Sequence, residues 1–327
     1  MKVYYGETGC QMTKGSGEGC TNKAYWLLHT GEYACGVHSK GKDCKALPKR
    51  SAKEKQELLK EVYAGEAKKI IKAIRRNRRF GQPGRLAVTK LRMRKAPLDL
   101  EGYQKVFPNS KAGDMKPIEE GQAIEFGGRW GMAGLSPMVL GPVKTSQPGV
   151  PKARNLENAW QALKVFPQFT VIFKGAPNEE WFKIRDEMYR DPIPHRHHPG
   201  RFKNSKNGKT SRPLYAYWIL PDGTGTQLDY IESRQIYCTY YERLARDTPE
   251  LARLRCCLEK GMNTQIIGYD GYDLELTGHE TQKELANKFE RFYLDPSRPF
   301  GHELMIAALL LLEKKNYPWT KHTTLKL

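Results

Sequence analysis

The run Leu304-Met305-Ile306-Ala307-Ala308-Leu309-Leu310-Leu311-Leu312 is apolar all the way round a helix. A helix of this kind has no face to give to water, so the rest of its domain must be laid around it. His302 to Lys315 therefore reads as a buried central helix. The run is well short of the roughly 18 residues that a membrane span needs, so burial within protein is expected and no membrane partner is. Two amphipathic helices are expected near it. One covers Asn178 to Tyr189, with Trp181, Ile184 and Met188 on a common face, and the other covers Thr281 to Phe292. Short apolar runs at Thr170–Phe173, Tyr215–Leu220 and Thr264–Ile267 read as strands. Residues 119–327 are thus expected to be a helix-rich globular domain of the α+β class.

The other end of the chain has a different texture. Cys10, Cys20, Cys35 and Cys44 crowd a Gly-rich stretch with little apolar periodicity, which cannot build much core without a staple. The chain has seven cysteines, an odd number, and Met1-Lys2-Val3-Tyr4-Tyr5-Gly6 leads straight into polar sequence. Neither feature suits a secreted disulfide framework. An intracellular protein, cytoplasmic or nuclear, or a virion component, is expected instead. Cys10, Cys20, Cys35 and His38 form a Cys-x9-Cys-x14-Cys-x2-His set whose last pair matches a zinc knuckle. The expectation is a small zinc-binding module over residues 1–47 whose Zn2+ is structural, because four protein ligands leave no open position. Cys44 is a spare thiol that could replace His38, and free thiols are the alternative for the whole set.

Residues 48–118 read as a basic helical connector, part of which could be disordered. Ser51 to Arg79 has intermittent apolar positions at Leu58, Val62, Ile70, Ile71 and Ile74, with Gly65 as the expected break. Lys68, Lys69, Lys72, Arg75, Arg76, Arg78 and Arg79 follow closely, and Lys90 to Lys95 continues the charge. The whole chain carries 55 Lys+Arg against 36 Asp+Glu, a formal net charge of +19. That excess is a statement about anionic partners rather than about fold. Either residues 48–95 contact nucleic acid through its phosphates, or they are a solvated tether. No P-loop and no GxGxxG is present, so a nucleotide-hydrolysing motor and a dinucleotide-binding Rossmann domain are not expected.

Most of the chemistry is concentrated in residues 134–164. A Gly/Pro-rich loop, Gly134-Leu135-Ser136-Pro137 to Gly141-Pro142, leads to the segment Asn155-Leu156-Glu157-Asn158-Ala159-Trp160-Gln161-Ala162-Leu163-Lys164. Leu156, Trp160 and Leu163 share one helical face at i, i+4, i+7. Glu157, Gln161 and Lys164 share a second face that is wholly polar. It either looks at water or lines a cleft.

These residues resemble the signature of the NADAR family, in which a Ser-containing loop precedes a helix bearing Glu, then Gln, then Lys. Leu135, Ser136, Glu157, Gln161 and Lys164 match, while Asn158 stands where the family has His. The resemblance implies an N-glycosidase, which breaks a ribose–nitrogen bond in a phosphorylated ribosyl or ADP-ribosyl substrate. Glu157 would then be the catalytic carboxylate, with Asp270 or Glu232 as the second acid. Ser136, Gln161, Lys164, Arg185, Arg234 and Tyr272 would bind substrate, the arginines as bidentate phosphate clamps. The structural alternatives are concrete too. Glu157 near a helix start complements the helix dipole, and either arginine suits an internal ion pair. Glu303, beside His302, is an acid of the site or an ordinary helix start. His195, His197 and His198 lie in a basic loop that covers substrate or is plain surface. No triad pattern flanks Cys238, and Cys256-Cys257 should lie in the core. The rival to the enzyme is a non-enzymatic nucleic-acid-binding or virion-type structural protein.

Overall fold

The computed structural model describes the chain apart from residues 1–9, 13–19, 23, 25, 29–31, 36, 37, 39, 41–43, 50, 91–99, 109–128, 171–174, 203–209, 270, 324 and 326. The chain divides into two compact units, Met1–Tyr63 and Ala64–Leu327. In the first, β1 (Trp26–Leu28), β2 (Tyr33–Ala34) and β3 (Cys44–Ala46) form an antiparallel sheet in the order β2-β1-β3. Ala24, Leu28, Ala34 and Leu47 are its buried apolar residues, apart from cysteine, among those described.

Helix α1 (Ala52–Arg79) begins in this unit and continues into the second. A capping box starts it: Glu54 N–H donates to Ser51 Oγ at 3.2 Å, and Ser51 N–H donates to the Glu54 carboxylate at 2.7 Å. Gly65 does not break the helix. It is exposed, and its cost of about 1 kcal/mol relative to alanine is absorbed by the 28-residue helix around it. Within the second unit Ala67, Ile70, Ile74 and Asn77 form its buried stripe. Asn77 fixes that end by donating to the Gly261 carbonyl at 2.8 Å and to Asn263 Oδ1 at 2.9 Å.

The remaining elements follow in order: β4 (Leu86–Lys90), β5 (Gln104–Phe107), β6 (Arg129–Gly131), α2 (Leu156–Gln161), β7 (Lys164–Val165), α3 (Glu179–Arg190), β8 (Tyr215–Ile219), β9 (Gly225–Leu228), α4 (Tyr230–Ala245), α5 (Pro249–Glu259), β10 (Thr264–Gly268), β11 (Leu274–Glu275), α6 (Gln282–Leu294), α7 (His302–Leu311) and α8 (Pro318–Lys321). A five-stranded sheet has the order β11-β4-β10-β5-β6, parallel except for β11 at its edge. Strand β10 (Thr-Gln-Ile-Ile-Gly) lies between β4 and β5 and is buried along its whole length, as a strand covered on both faces must be. Its polar side chains are paired internally. Gln104 donates to Thr264 Oγ1 at 2.6 Å, and Gln265 donates to Thr89 Oγ1 at 2.8 Å.

Helix α7 packs on β4 and β10 and against α4, with Leu304 to Leu309 all buried. It ends at Leu311 rather than Lys315, and a separate 3-10 turn follows at Lys314–Asn316. A second, antiparallel sheet, β7-β8-β9, covers a smaller core of Val165, Phe166, Phe169, Trp181 and Tyr217.

The architecture is mixed helix and sheet, in keeping with the α+β class. The division differs from the expected one at 118/119. Strands β4 and β5, inside the segment read as a connector, pair with β10 and are part of the main sheet. Of the expected strand Thr170–Phe173 only Thr170 is described, in an isolated bridge to Pro177. Among the described residues, no helix is long and apolar enough to cross a membrane.

Candidate active site

The Gly/Pro loop and α2 are built as one piece. Asn155 caps the helix by accepting from Asn158 N–H at 2.8 Å. Two further first-turn donors are satisfied by the loop: Leu156 N–H bonds the Leu140 carbonyl at 2.8 Å, and Glu157 N–H bonds the Pro137 carbonyl at 2.9 Å. Gly141 permits this closeness, since a β-carbon there would collide with the Arg154 carbonyl. Leu156, Ala159 and Leu163 are buried, and Trp160 stands 5.4 Å from the Tyr237 ring. Helix α2 stops at Gln161, so Lys164 sits at the start of β7 rather than on the helix. The polar residues meet all the same. Gln161 Nε2 donates to Glu157 Oε1 at 2.8 Å, and Gln161 Oε1 accepts from Lys164 Nζ at 2.7 Å.

This carboxylate–amide–ammonium line borders a cavity of about 530 Å³. Helix α4 contributes Tyr230, Arg234 and Tyr237, the start of α7 contributes His302 and Glu303, and the loop after α3 contributes Arg196 and His197. Glu157 is 9% exposed and Glu303 5%, so two buried carboxylates border the same space. Burial pushes the Glu157 carboxyl above the usual carboxylate range, while its bond from Gln161 and the charges of Lys164, His302 and Arg196 oppose the rise. Burial lowers Lys164 to about 8, against the pull of Glu157. Its ammonium lies 5.2 Å from the centroid of the Trp160 ring. His302 Nε2 stands 3.4 Å from Glu303 Oε1.

Asn158 holds the loop in place. Its Nδ2 donates to the carbonyls of Asp191 at 3.0 Å and Ile193 at 2.9 Å, and its Oδ1 accepts from His195 N–H at 2.7 Å. Gln161 Nε2 also reaches the Arg196 carbonyl at 3.1 Å. His195 pairs with Asp191 at 2.6 Å.

The structure brings together Glu157, Gln161, Lys164 and Arg234 of the residues singled out by sequence. Arg234 is already committed: it donates to the carbonyls of Phe292, Tyr293 and Arg298 and lies 4.5 Å from the Tyr230 ring centroid. His197, His302 and Glu303, also read as candidates, line the cavity too, whereas Glu232, Arg185, Tyr272 and Ser136 do not. Glu232 forms the capping box of α4 with Asp229, at 2.8 Å and 2.7 Å. Arg185 pairs with Asp186 at 2.8 Å and stacks on Trp181 and Phe182. Tyr272 stacks on Phe292 at 4.4 Å. Ser136 is buried in the loop, its carbonyl accepting from Val139 and Leu140. Asp270 lies outside the described residues, and the preceding Tyr269 lines the cavity. Sequence reasoning missed Asn158 as a loop clamp and Tyr237 as cavity wall. Cys238 is fully buried with its thiol pushed up by burial, Cys257 is buried, and Cys256 is exposed rather than in the core.

In the first unit, ligand atoms of Cys10, Cys20, Cys35 and His38 all lie within 4.8 Å of one another. Cys10 Sγ is 3.3 Å and Cys35 Sγ 3.5 Å from His38 Nδ1, and Cys20 Sγ is 4.0 Å from Cys35 Sγ. The widely spaced Cys10 and Cys20 are drawn together by two backbone bonds, Cys10 N–H to the Asn22 carbonyl at 2.8 Å and Cys20 N–H to the Met12 carbonyl at 2.9 Å. The set could hold a metal ion. The backbone of Cys44 lies in β3, and its side chain is outside the described set.

Comparison with family models, with curated proteins and with solved structures gives no match for the chain.

Proposed function

We propose that the Glu157 cavity is the active site of an N-glycosidase that hydrolyses a ribose–nitrogen bond in a phosphorylated ribosyl or ADP-ribosyl substrate. The observation that carries this reading is the buried Glu157 carboxylate, braced by Gln161 and Lys164, on the wall of a cavity of ligand size. In such a hydrolysis the C1–N bond breaks as positive charge grows on the sugar carbon. Water then adds to C1 and loses a proton, and the leaving nitrogen gains one. Glu157 is assigned to the water, because a carboxylate with a raised pKa accepts that proton nearer neutral pH. Glu303, with His302 beside it, takes the place of the second acid, since Glu232 is engaged in a helix cap. Lys164 holds an anionic part of the substrate.

The Cys10, Cys20, Cys35 and His38 set suits structural Zn2+. Zn–S bonds of about 2.3 Å and Zn–N bonds of about 2.0 Å in a tetrahedron imply ligand separations close to those found. Four protein ligands leave no position for a reacting water, so the ion would act as a staple for the first unit.

A second reading, contact with nucleic acid, is favoured by one observation. Lys68, Lys72, Arg75, Arg76 and Arg79 are exposed on the side of α1 away from Ala67, Ile70 and Ile74. The two readings are separated by incubating the protein and its Glu157→Gln variant with NAD, ADP-ribosylated guanine nucleotides and DNA, and ribosylamino pyrimidine phosphates. Release of free base or amine by wild type alone supports the enzyme. Salt-sensitive retention of DNA without any turnover supports the second reading.

A further inference from the structure

Beside the Glu157 cavity, and sharing Gln161, Lys164 and His197 with it, lies a second cavity of about 760 Å³. Lys164, Arg201 and Arg212 border it, and no carboxylate does among the described residues. His198 also borders it, 2% exposed, its ring 5.1 Å from Phe166 and 5.8 Å from Phe169. His198 Nδ1 accepts from Gly200 N–H at 2.9 Å. The neutral imidazole therefore carries its proton on Nε2. That N–H is buried and has no partner among the described residues. A buried donor left unpaired is costly, and such a group calls for an acceptor that binds there. Burial holds His198 down at about 4, so the ring remains a neutral donor throughout the physiological range.

Arg201 and Arg212 are both exposed, and Arg201 Nη1 lies 2.6 Å from His197 Nδ1. The compartment thus offers three side-chain cations and one orphan N–H, with no acidic competitor. An acceptor-only anion matches this set, and guanidinium groups favour phosphate geometry.

We infer that this second compartment binds a phosphate or diphosphate group through His198 Nε2–H, Lys164, Arg201 and Arg212. Through the shared Lys164 and Gln161, the same ligand reaches Glu157. Only that last step rests on the glycosidase reading. The substrate is then one whose anionic arm lies in one compartment while its glycosidic carbon lies in the other, so a neutral riboside should be a poor substrate.

The test is calorimetric titration of inorganic pyrophosphate into the full-length protein. Wild type should bind one equivalent saturably, and Arg201→Gln and Arg212→Gln should each weaken binding about tenfold. Both sites are exposed, so these variants keep their fold. His198→Phe, which fills the same space between the two phenylalanines, should lose a comparable factor. Glu157→Gln should bind pyrophosphate at least as tightly as wild type while losing any turnover. ADP-ribose and ribose 5-phosphate should displace pyrophosphate. Absence of saturable binding overturns the inference, as does binding unchanged in the Arg201→Gln/Arg212→Gln double variant, or displacement by a single-stranded oligonucleotide alone. If pyrophosphate binds in the arginine-dependent way and no glycoside is cleaved, the anion compartment stands and the glycosidase reading falls.

Discussion

Gly268 and Glu303 fit together: a β-carbon on Gly268 would collide with the Glu303 carboxylate. The last residue of the central parallel strand is thus bare where the first turn of α7 brings a buried acid to the cavity. Parallel strands commonly end at ligand sites, and here the glycine leaves room for Glu303. Gly268→Ala should therefore displace Glu303, destabilise the protein by about 1–3 kcal/mol through overpacking, and lower turnover. Urea denaturation and activity, read together, check this. An alanine variant of unchanged stability would show that the strand end yields freely.

Asn158 makes its bonds to the 191–195 loop from a fully buried position. Asn158→Ala leaves the His195 N–H and two carbonyls without that partner, at a cost of about 1–3 kcal/mol. Limited proteolysis should cut between 191 and 201 faster in the variant than in wild type. Equal cleavage rates would mean that the loop is held by other contacts.

Lys164 gives a signed pH dependence. Its folded pKa, about 8, lies below the ordinary lysine value of 10.5. Its contribution to stability is therefore present above the unfolded pKa and is lost as pH falls through the folded one. Lys164→Met should be more stable than wild type below about pH 8, and that advantage should shrink as pH rises toward 10.5. Denaturation midpoints of the two proteins at several pH values across this range measure it. Glu157 has the opposite sense: its raised carboxyl contributes stability below the usual carboxylate range, lost as pH rises through its folded value.

Much of the local structure was legible because it rests on nearest neighbours. The helix after Asn178, the strand at Thr264 and the central apolar helix all follow from side-chain periodicity over a few turns. The loop-to-helix entry at Glu157 was readable from Gly, Pro and Asn in sequence. What escaped is non-local. Pairing of β4 and β5 with β10 joins residues far apart in the chain, and no local pattern announces it. Glu303 reads in sequence either as an acid of the site or as an ordinary helix start, and only the packing of α7 near α4 gives it a cavity. Asn158 binds backbone carbonyls, which have no sequence signature at all.

The cysteine cluster predicts one bound metal ion per chain. Native mass spectrometry should show a single zinc mass, lost in Cys35→Ser and on chelation, with partial unfolding confined to Met1–Tyr63. Full retention of structure without metal would leave these residues as free thiols.

The central claim is that Glu157 directs water onto a ribosyl carbon. The most direct measurement is hydrolysis of an ADP-ribosyl or phosphoribosyl N-glycoside in 18O-labelled water, with wild type and Glu157→Gln compared by mass spectrometry of the sugar product. The account predicts one 18O at C1 with wild type and a loss of at least a hundredfold in rate with Glu157→Gln, the low end of general-base catalysis at about 10²–10⁴-fold. Equal rates in the two proteins, or no labelled sugar from any member of the class, would contradict it.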